Sequence, residues 1–137
     1  MERRAAEALA ERWLNEAMRE RKLAVFDELL LPNVQSESGG QVTHGSEPFK
    51  HRASAVHGAF SNIETTLDQL VVEGNQLAWR WSLTGTHSGA FAGVEATGRR
   101  VTLSGVNFQQ LQGGRVAAHW TLADTFGLMA ALRAPAR

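Results

Sequence analysis

Hydrophobic spacing divides the chain into a helical first part and a strand-rich remainder. Residues 2 to about 20 place Ala6, Leu9, Trp13 and Ala17 at helical intervals, with Glu and Arg between them, which predicts an amphipathic helix. A second helix is read from the stripe Leu23, Phe26, Leu29 and Leu30, ended by Pro32. Asn33 to Thr43 reads as irregular with a turn at Gly39-Gly40, and Val34 and Val42 as short flanking strands. Ser46 reads as an N-cap, with Glu47 and Pro48 in the first turn of a helix whose stripe is Phe49, Ala53, Val56 and Phe60.

From Ile63 the period becomes two. Ile63 to Glu73 reads as a strand with Thr65, Leu67, Gln69 and Val71 on one face, turned at Gly74-Asn75. Leu77 to His87 follows, with Trp79, Trp81 and Leu83 together on one side. Ser88 to Gly98 is a glycine-punctuated loop. Arg99 to Leu111 and Arg115 to Ala123 are two further strands around Gly113-Gly114. Phe126 to Leu132 reads as a terminal helix, and Ala134 to Arg137 as a tail. Helices followed by long antiparallel strands define an α+β fold, in which a twisted sheet is closed by the early helices over an apolar pocket.

Parity selects the candidate chemistry. On the last strand Val116, Ala118, Trp120, Leu122 and Asp124 alternate on the more apolar face, which is expected to point inward. An inward Asp124 is poorly solvated, its pKa rises, and it suits a general acid/base. Asp directly before a helix is equally a favoured N-cap, and both readings stand. His119 falls on the opposite face and reads as a surface or interface histidine. On the preceding strand Val101, Leu103, Gly105, Asn107, Gln109 and Leu111 share a face. Asn107 and Gln109 there either hold a carbonyl or enolate oxygen or bond to neighbouring backbone. His87, after Gly85-Thr86, is a proton shuttle, a substrate clamp or a loop anchor. Trp79, Trp81, Phe91 and Trp120 form either a stacking platform for a flat ligand or plain core.

Composition narrows the classes. The 137 residues carry 14 basic and 14 acidic side chains, so no net field recruits nucleic acid or membrane. Cysteine is absent, which removes thiol nucleophiles and thiolate metal sites. The histidines lack ligand spacing with a carboxylate, so no metal is expected. There is no phosphate-binding glycine loop and no nucleophile elbow. No apolar run spans a bilayer, and a cytoplasmic location is expected.

Several segments carry a resemblance: Gly85-Thr86-His87-Ser88-Gly89-Ala90-Phe91, Ala92-Gly93, Ala96-Thr97-Gly98-Arg99-Arg100-Val101, Gly113-Gly114-Arg115-Val116, and His119-Trp120 up to Asp124. They resemble the SnoaL-like polyketide cyclases of the NTF2-like superfamily. The length fits a single domain over 1–137, and the resemblance, clearest from about Phe49 to Leu132, implies a cone-shaped α+β barrel and a homodimer paired through outer sheet faces. It also implies a cofactor-independent intramolecular aldol condensation of an aromatic polyketide, with Asp124 as acid/base and Asn107 and Gln109 holding the substrate. Many members carry a histidine shortly after the second helix, where this chain has Val34-Gln35-Ser36-Glu37. Two other functions fit such a pocket. One is binding of a small apolar molecule without reaction. The other is an epoxide hydrolase or hydratase, which needs a second carboxylate beside an inward arginine; Arg80 falls on the wrong face and Glu73 lies by a turn.

Overall fold

The computed structural model describes residues 2–135, so Ala136 and Arg137 of the expected tail lie outside the described residues. Helix α1 (Arg3–Arg12) runs directly into a π-helical segment (Trp13–Arg19), together matching the first expected helix. Ala6, Leu9, Ala10, Trp13, Leu14 and Ala17 are all buried, as the spacing requires. Helix α2 (Val25–Leu29) is shorter than its apolar stripe implies. Leu30 already belongs to strand β1 (Leu30–Ser38), where it pairs with Val116. Sheet pairing outweighs helical spacing here. Arg115 donates from Nη2 to the carbonyls of Asp27, at 2.8 Å, and Leu30, at 2.5 Å, which fixes the helix-to-strand junction.

The segment read as irregular is a β-hairpin turned at Gly39-Gly40, as expected, with Val34 and Val42 on its two strands, which are longer and paired more fully than the short flanking strands read from sequence. Strand β2 (Gln41–His44) pairs back on β1 through Gly39 and Gly40. Both glycines have positive φ, 57° and 81°, the geometry a tight two-residue hairpin turn demands. Helix α3 (Glu47–Ala59) starts after Ser46, but Ser46 does not cap it with its side chain. Its hydroxyl donates instead to Asp27 Oδ1 at 2.9 Å. Phe60, expected on the helical stripe, opens strand β3 (Phe60–Glu73).

Strands β4 (Gln76–His87), β5 (Arg100–Gln112) and β6 (Arg115–Ala123) and helix α4 (Thr125–Arg133) complete the chain. The six strands run in the order β2-β1-β6-β5-β4-β3. Every neighbouring pair is antiparallel except β1 with β6, which is parallel. The sheet is open, with β2 and β3 as its edges, and the N-terminal helices pack on its inner face. The larger core cluster joins Trp13, Phe26 and Phe49 from the helices to Leu77, Trp79 and Leu111 from the sheet. A second cluster, around Phe60, Leu83, Leu103 and Leu128, lies under α4.

Two bulges reset the alternation read from sequence. On β3, Asp68 is the extra residue between the Leu67–Trp81 and Gln69–Arg80 pairs. Beyond it Leu70 is buried, whereas Val71, expected to share a face with Leu67, is exposed. On β6, Ala117 is the extra residue between the Val116–Leu111 and Ala118–Gln110 pairs. One inserted residue inverts every later side chain. Val116 and His119 are therefore buried, with His119 only 6% exposed, while Trp120 is 37% and Leu122 58% exposed. The expectation that the Trp120 face points inward is corrected by this bulge.

Candidate functional site

Between the helices and the inner sheet face lies a cavity of about 350 Å³. Trp13, Phe49, Trp79 and Trp81 form much of its wall, and Asn107, Thr121 and His119 bring polar groups to it from β5 and β6. Ser38 and Gly39 reach it from the β1–β2 turn, Arg52 from α3 and Thr125 from the start of α4. Among the described residues, no Asp or Glu lines it.

The polar groups are oriented by a relay whose direction is fixed. The Trp79 indole can only donate, and its Nε1–H meets Gln109 Oε1 at 3.0 Å. The Gln109 amide therefore turns its Nε2–H toward His119 Nδ1, also at 3.0 Å. His119 must accept at Nδ1, so the proton of its neutral ring sits on Nε2. Among the described residues that N–H has no hydrogen-bond partner, and the ring it belongs to is part of the cavity wall. The ring is stacked on Trp13 (centroids 5.2 Å apart, planes at 13°) and meets the Phe49 edge at 5.1 Å. Burial, helped by the nearby Arg52 cation, pushes its pKa down to about 3. The imidazole is thus neutral at physiological pH.

Asn107 is set in the same way. Its Oδ1 accepts from Trp81 Nε1 at 3.3 Å and from Thr121 Oγ1 at 2.7 Å. This leaves the Nδ2–H pair as the hydrogen-bonding capacity Asn107 can offer a ligand. Asn107 pairs with Thr121, and Gln109 with His119, so Asn107 and His119 are diagonal neighbours on one face. Such positions lie on the order of 7–8 Å apart, close enough for both donors to serve one bound molecule. The cavity is apolar in its walls and donor-rich at one side, which suits a ligand carrying carbonyl oxygens.

The other residues singled out from sequence lie elsewhere. Asp124 is exposed and caps α4: its Oδ1 accepts from Gly127 N at 2.9 Å. Its inward placement is corrected, because the Ala117 bulge turns it outward and the capping geometry holds it there. His87 is fully buried at the end of β4, away from the cavity. Its Nδ1 accepts from Thr97 N at 3.1 Å and lies 3.0 Å from Thr97 Oγ1, so it anchors the 88–98 loop. Phe91, part of that loop, packs on Phe60 at 5.4 Å and does not line the cavity. Trp120 packs edge-on against Phe108 at 5.7 Å on the outer sheet face. Trp79, Trp81 and Asn107 do line the cavity, and Gln109 stands directly behind it.

Sequence reasoning missed His119, Arg52 and Trp13 as cavity residues. His119 was hidden by the bulge. Arg52 carried a signal, since it sits three residues after Phe49 and beside Ala53 at the edge of the apolar stripe. Trp13 was read only as core.

A six-stranded sheet with helices over its inner face, enclosing a donor-bearing apolar cavity, defines a small α+β pocket protein. The sequence profile of the SnoaL-like polyketide cyclases matches residues 8–132. The chain belongs to that family. Among functionally curated proteins none matches the sequence. Solved structures share the fold. TsrD from Streptomyces laurentii is 27% identical with a TM-score of 0.87, over 98% of this chain and 99% of TsrD. AclR from Streptomyces galilaeus, a proposed hydroxylase, is 24% identical with a TM-score of 0.82, over 94% and 96% of the two chains. IdmH from Streptomyces antibioticus, a proposed polyketide cyclase, is 24% identical with a TM-score of 0.80, over 95% and 99%. Among the described residues, no helix is long and apolar enough to cross a membrane.

Proposed function

We propose that the cavity takes a mainly apolar, carbonyl-bearing molecule of polyketide type and promotes its intramolecular aldol cyclisation. The observation that carries this reading is the Trp79–Gln109–His119 relay, which holds a neutral imidazole with its N–H available to an apolar cavity. A methylene between two carbonyls is acidic enough to lose its proton to water when the resulting enolate oxygen is held. The Nε2–H of His119 and the Nδ2–H of Asn107 are the groups that hold it. A neutral histidine is suited to this task, because it donates a hydrogen bond without surrendering its proton. The enolate carbon then attacks a second carbonyl of the same molecule, a C–C bond forms, and the alkoxide takes a proton from water. The aromatic wall contributes by folding the chain into reactive geometry. Asp124 has no part in this reading, since its carboxylate is committed to α4 outside the cavity. Neither a metal nor an organic cofactor enters it, and the expected setting is a cytoplasmic homodimer.

A second reading, binding without turnover, is favoured by the lack of any carboxylate among the described lining residues. One experiment separates the two. The protein is incubated with an aryl β-triketone, and cyclised product is followed by chromatography with mass detection. The cyclase reading expects product formation that falls at least about 100-fold in His119→Asn, the loss typical of an oxyanion donor. Saturable binding of the triketone with no product above the uncatalysed rate would refute it and leave the binding reading.

A further inference from the structure

Among the described residues the cavity is lined by one charged side chain, and that side chain has no counter-ion. Arg52 lies on α3, half-buried, with its guanidinium carbon 4.9 Å from the centroid of the Phe49 ring. Among the described residues its one hydrogen bond is a long one, from Nη2 to the buried Ser36 hydroxyl at 3.4 Å. Among the described residues it makes no ion pair; Arg21, Arg99 and Arg115 make none either, but each of those donates to backbone carbonyls, which Arg52 does not. Burial pulls its pKa down with no acidic group opposing the shift. A half-buried cation without a partner is unfavourable by itself. Here it faces the same cavity as two hydrogen-bond donors and three tryptophans.

We infer that Arg52 is the counter-ion for a carboxylate on the ligand. This rests on the proposed function above and narrows its substrate class to oxo-acids: an apolar ring body, a carbonyl oxygen on His119 and Asn107, and a carboxylate on Arg52. The guanidinium has a planar fork that matches a carboxylate with two parallel hydrogen bonds, which a lysine cannot reproduce. Its stacking on Phe49 and its bond to Ser36 hold that fork in place without using most of its donors. With the carboxylate bound, the cavity's charge is balanced and its remaining walls stay apolar.

The test uses chromone-2-carboxylate and its methyl ester, which share a ketone and a ring system and differ in charge. Binding is read from quenching of tryptophan fluorescence, since Trp13, Trp79 and Trp81 line the cavity. At neutral pH the acid is expected to bind roughly 10- to 100-fold more tightly than the ester, the range of a charge-assisted pair. Arg52→Met should erase that preference and leave ester affinity within about twofold, while Arg52→Lys keeps part of it. Equal affinities for acid and ester in the wild type would overturn the counter-ion role and leave the cavity reading standing. No quenching by either compound would overturn both. Loss of both ligands in Arg52→Met would mark Arg52 as structural and likewise overturn the inference.

Discussion

Acid should weaken this fold chiefly through one ring, that of His119. In an exposed state the imidazole takes a proton near pH 6.5; in the folded chain it does so only at about 3, because it is buried and lies near Arg52. The unfolded chain therefore binds a proton that the folded chain refuses. The contribution of His119 to stability is complete above the unfolded value and declines as the pH falls toward the folded one. The slope is about 1.4 kcal/mol per pH unit, and the full loss by pH 3 is on the order of 5 kcal/mol. That is a large share of the stability of an ordinary domain. The relay adds a structural reason. A second ring proton would have to sit on Nδ1, where Gln109 already points an N–H. The assay is urea unfolding at a series of pH values, comparing wild type with His119→Asn, whose amide oxygen can still accept from Gln109. His57, whose pKa is also lowered by burial, remains in both proteins, so it cancels in the comparison. The stability advantage of wild type should shrink by about 1.4 kcal/mol for each unit below the unfolded value. Parallel pH profiles, or a ring titration near the ordinary histidine value by NMR, would refute the reasoning.

Three further outcomes are expected. Asp124→Ala should lower stability by about 1 kcal/mol in urea unfolding, and Asp124→Asn by less, with chromone-2-carboxylate affinity unchanged in both; a loss of affinity would return the carboxylate to the site. Gly105→Ala should displace Trp81, because a Cβ there strikes the indole ring, at a cost of roughly 1–3 kcal/mol and with weaker ligand quenching. Unchanged stability and affinity would show that the indole has room to move. Trp120 and Leu122 expose an apolar area on the outer sheet face beside Phe108, and the proposed homodimer pairs through it. Replacing both with Glu should convert a sedimenting dimer to monomer, and a wild type that sediments as a monomer at micromolar concentration would remove the dimer.

The architecture was legible because the two central strands that carry most of the inward face, β4 and β5, keep strict alternation. On β4 and β5 the inward sets, Trp79-Trp81-Leu83 and Leu103-Asn107-Gln109-Leu111, are those read from sequence. On β6 the same rule failed at Ala117. Alanine is compatible with either pairing, so nothing in the composition of that strand announces a bulge. Everything after it was assigned to the wrong face, which brought Asp124 and Trp120 in and put His119 out. Leu30 was lost to helical spacing for a related reason: its parallel partner Val116 is 86 residues away, beyond any local signal. The amides at 107 and 109 stood out as polar residues among aliphatics, but their orientation depends on indoles of the neighbouring strand, which only the register supplies.

The relay is one-way because an indole cannot accept. Trp79 is thus an electronic setting as well as a piece of wall. In Trp79→Phe the Gln109 amide loses the contact that fixes its direction and is free to rotate, presenting its oxygen to Nδ1. The histidine would then carry its proton on Nδ1 and offer a lone pair to the cavity, a swap that ring-nitrogen chemical shifts would report. If the proposed cyclase reading holds, oxygen-holding and proton-abstracting versions of this pocket are one substitution apart, at a position on its wall.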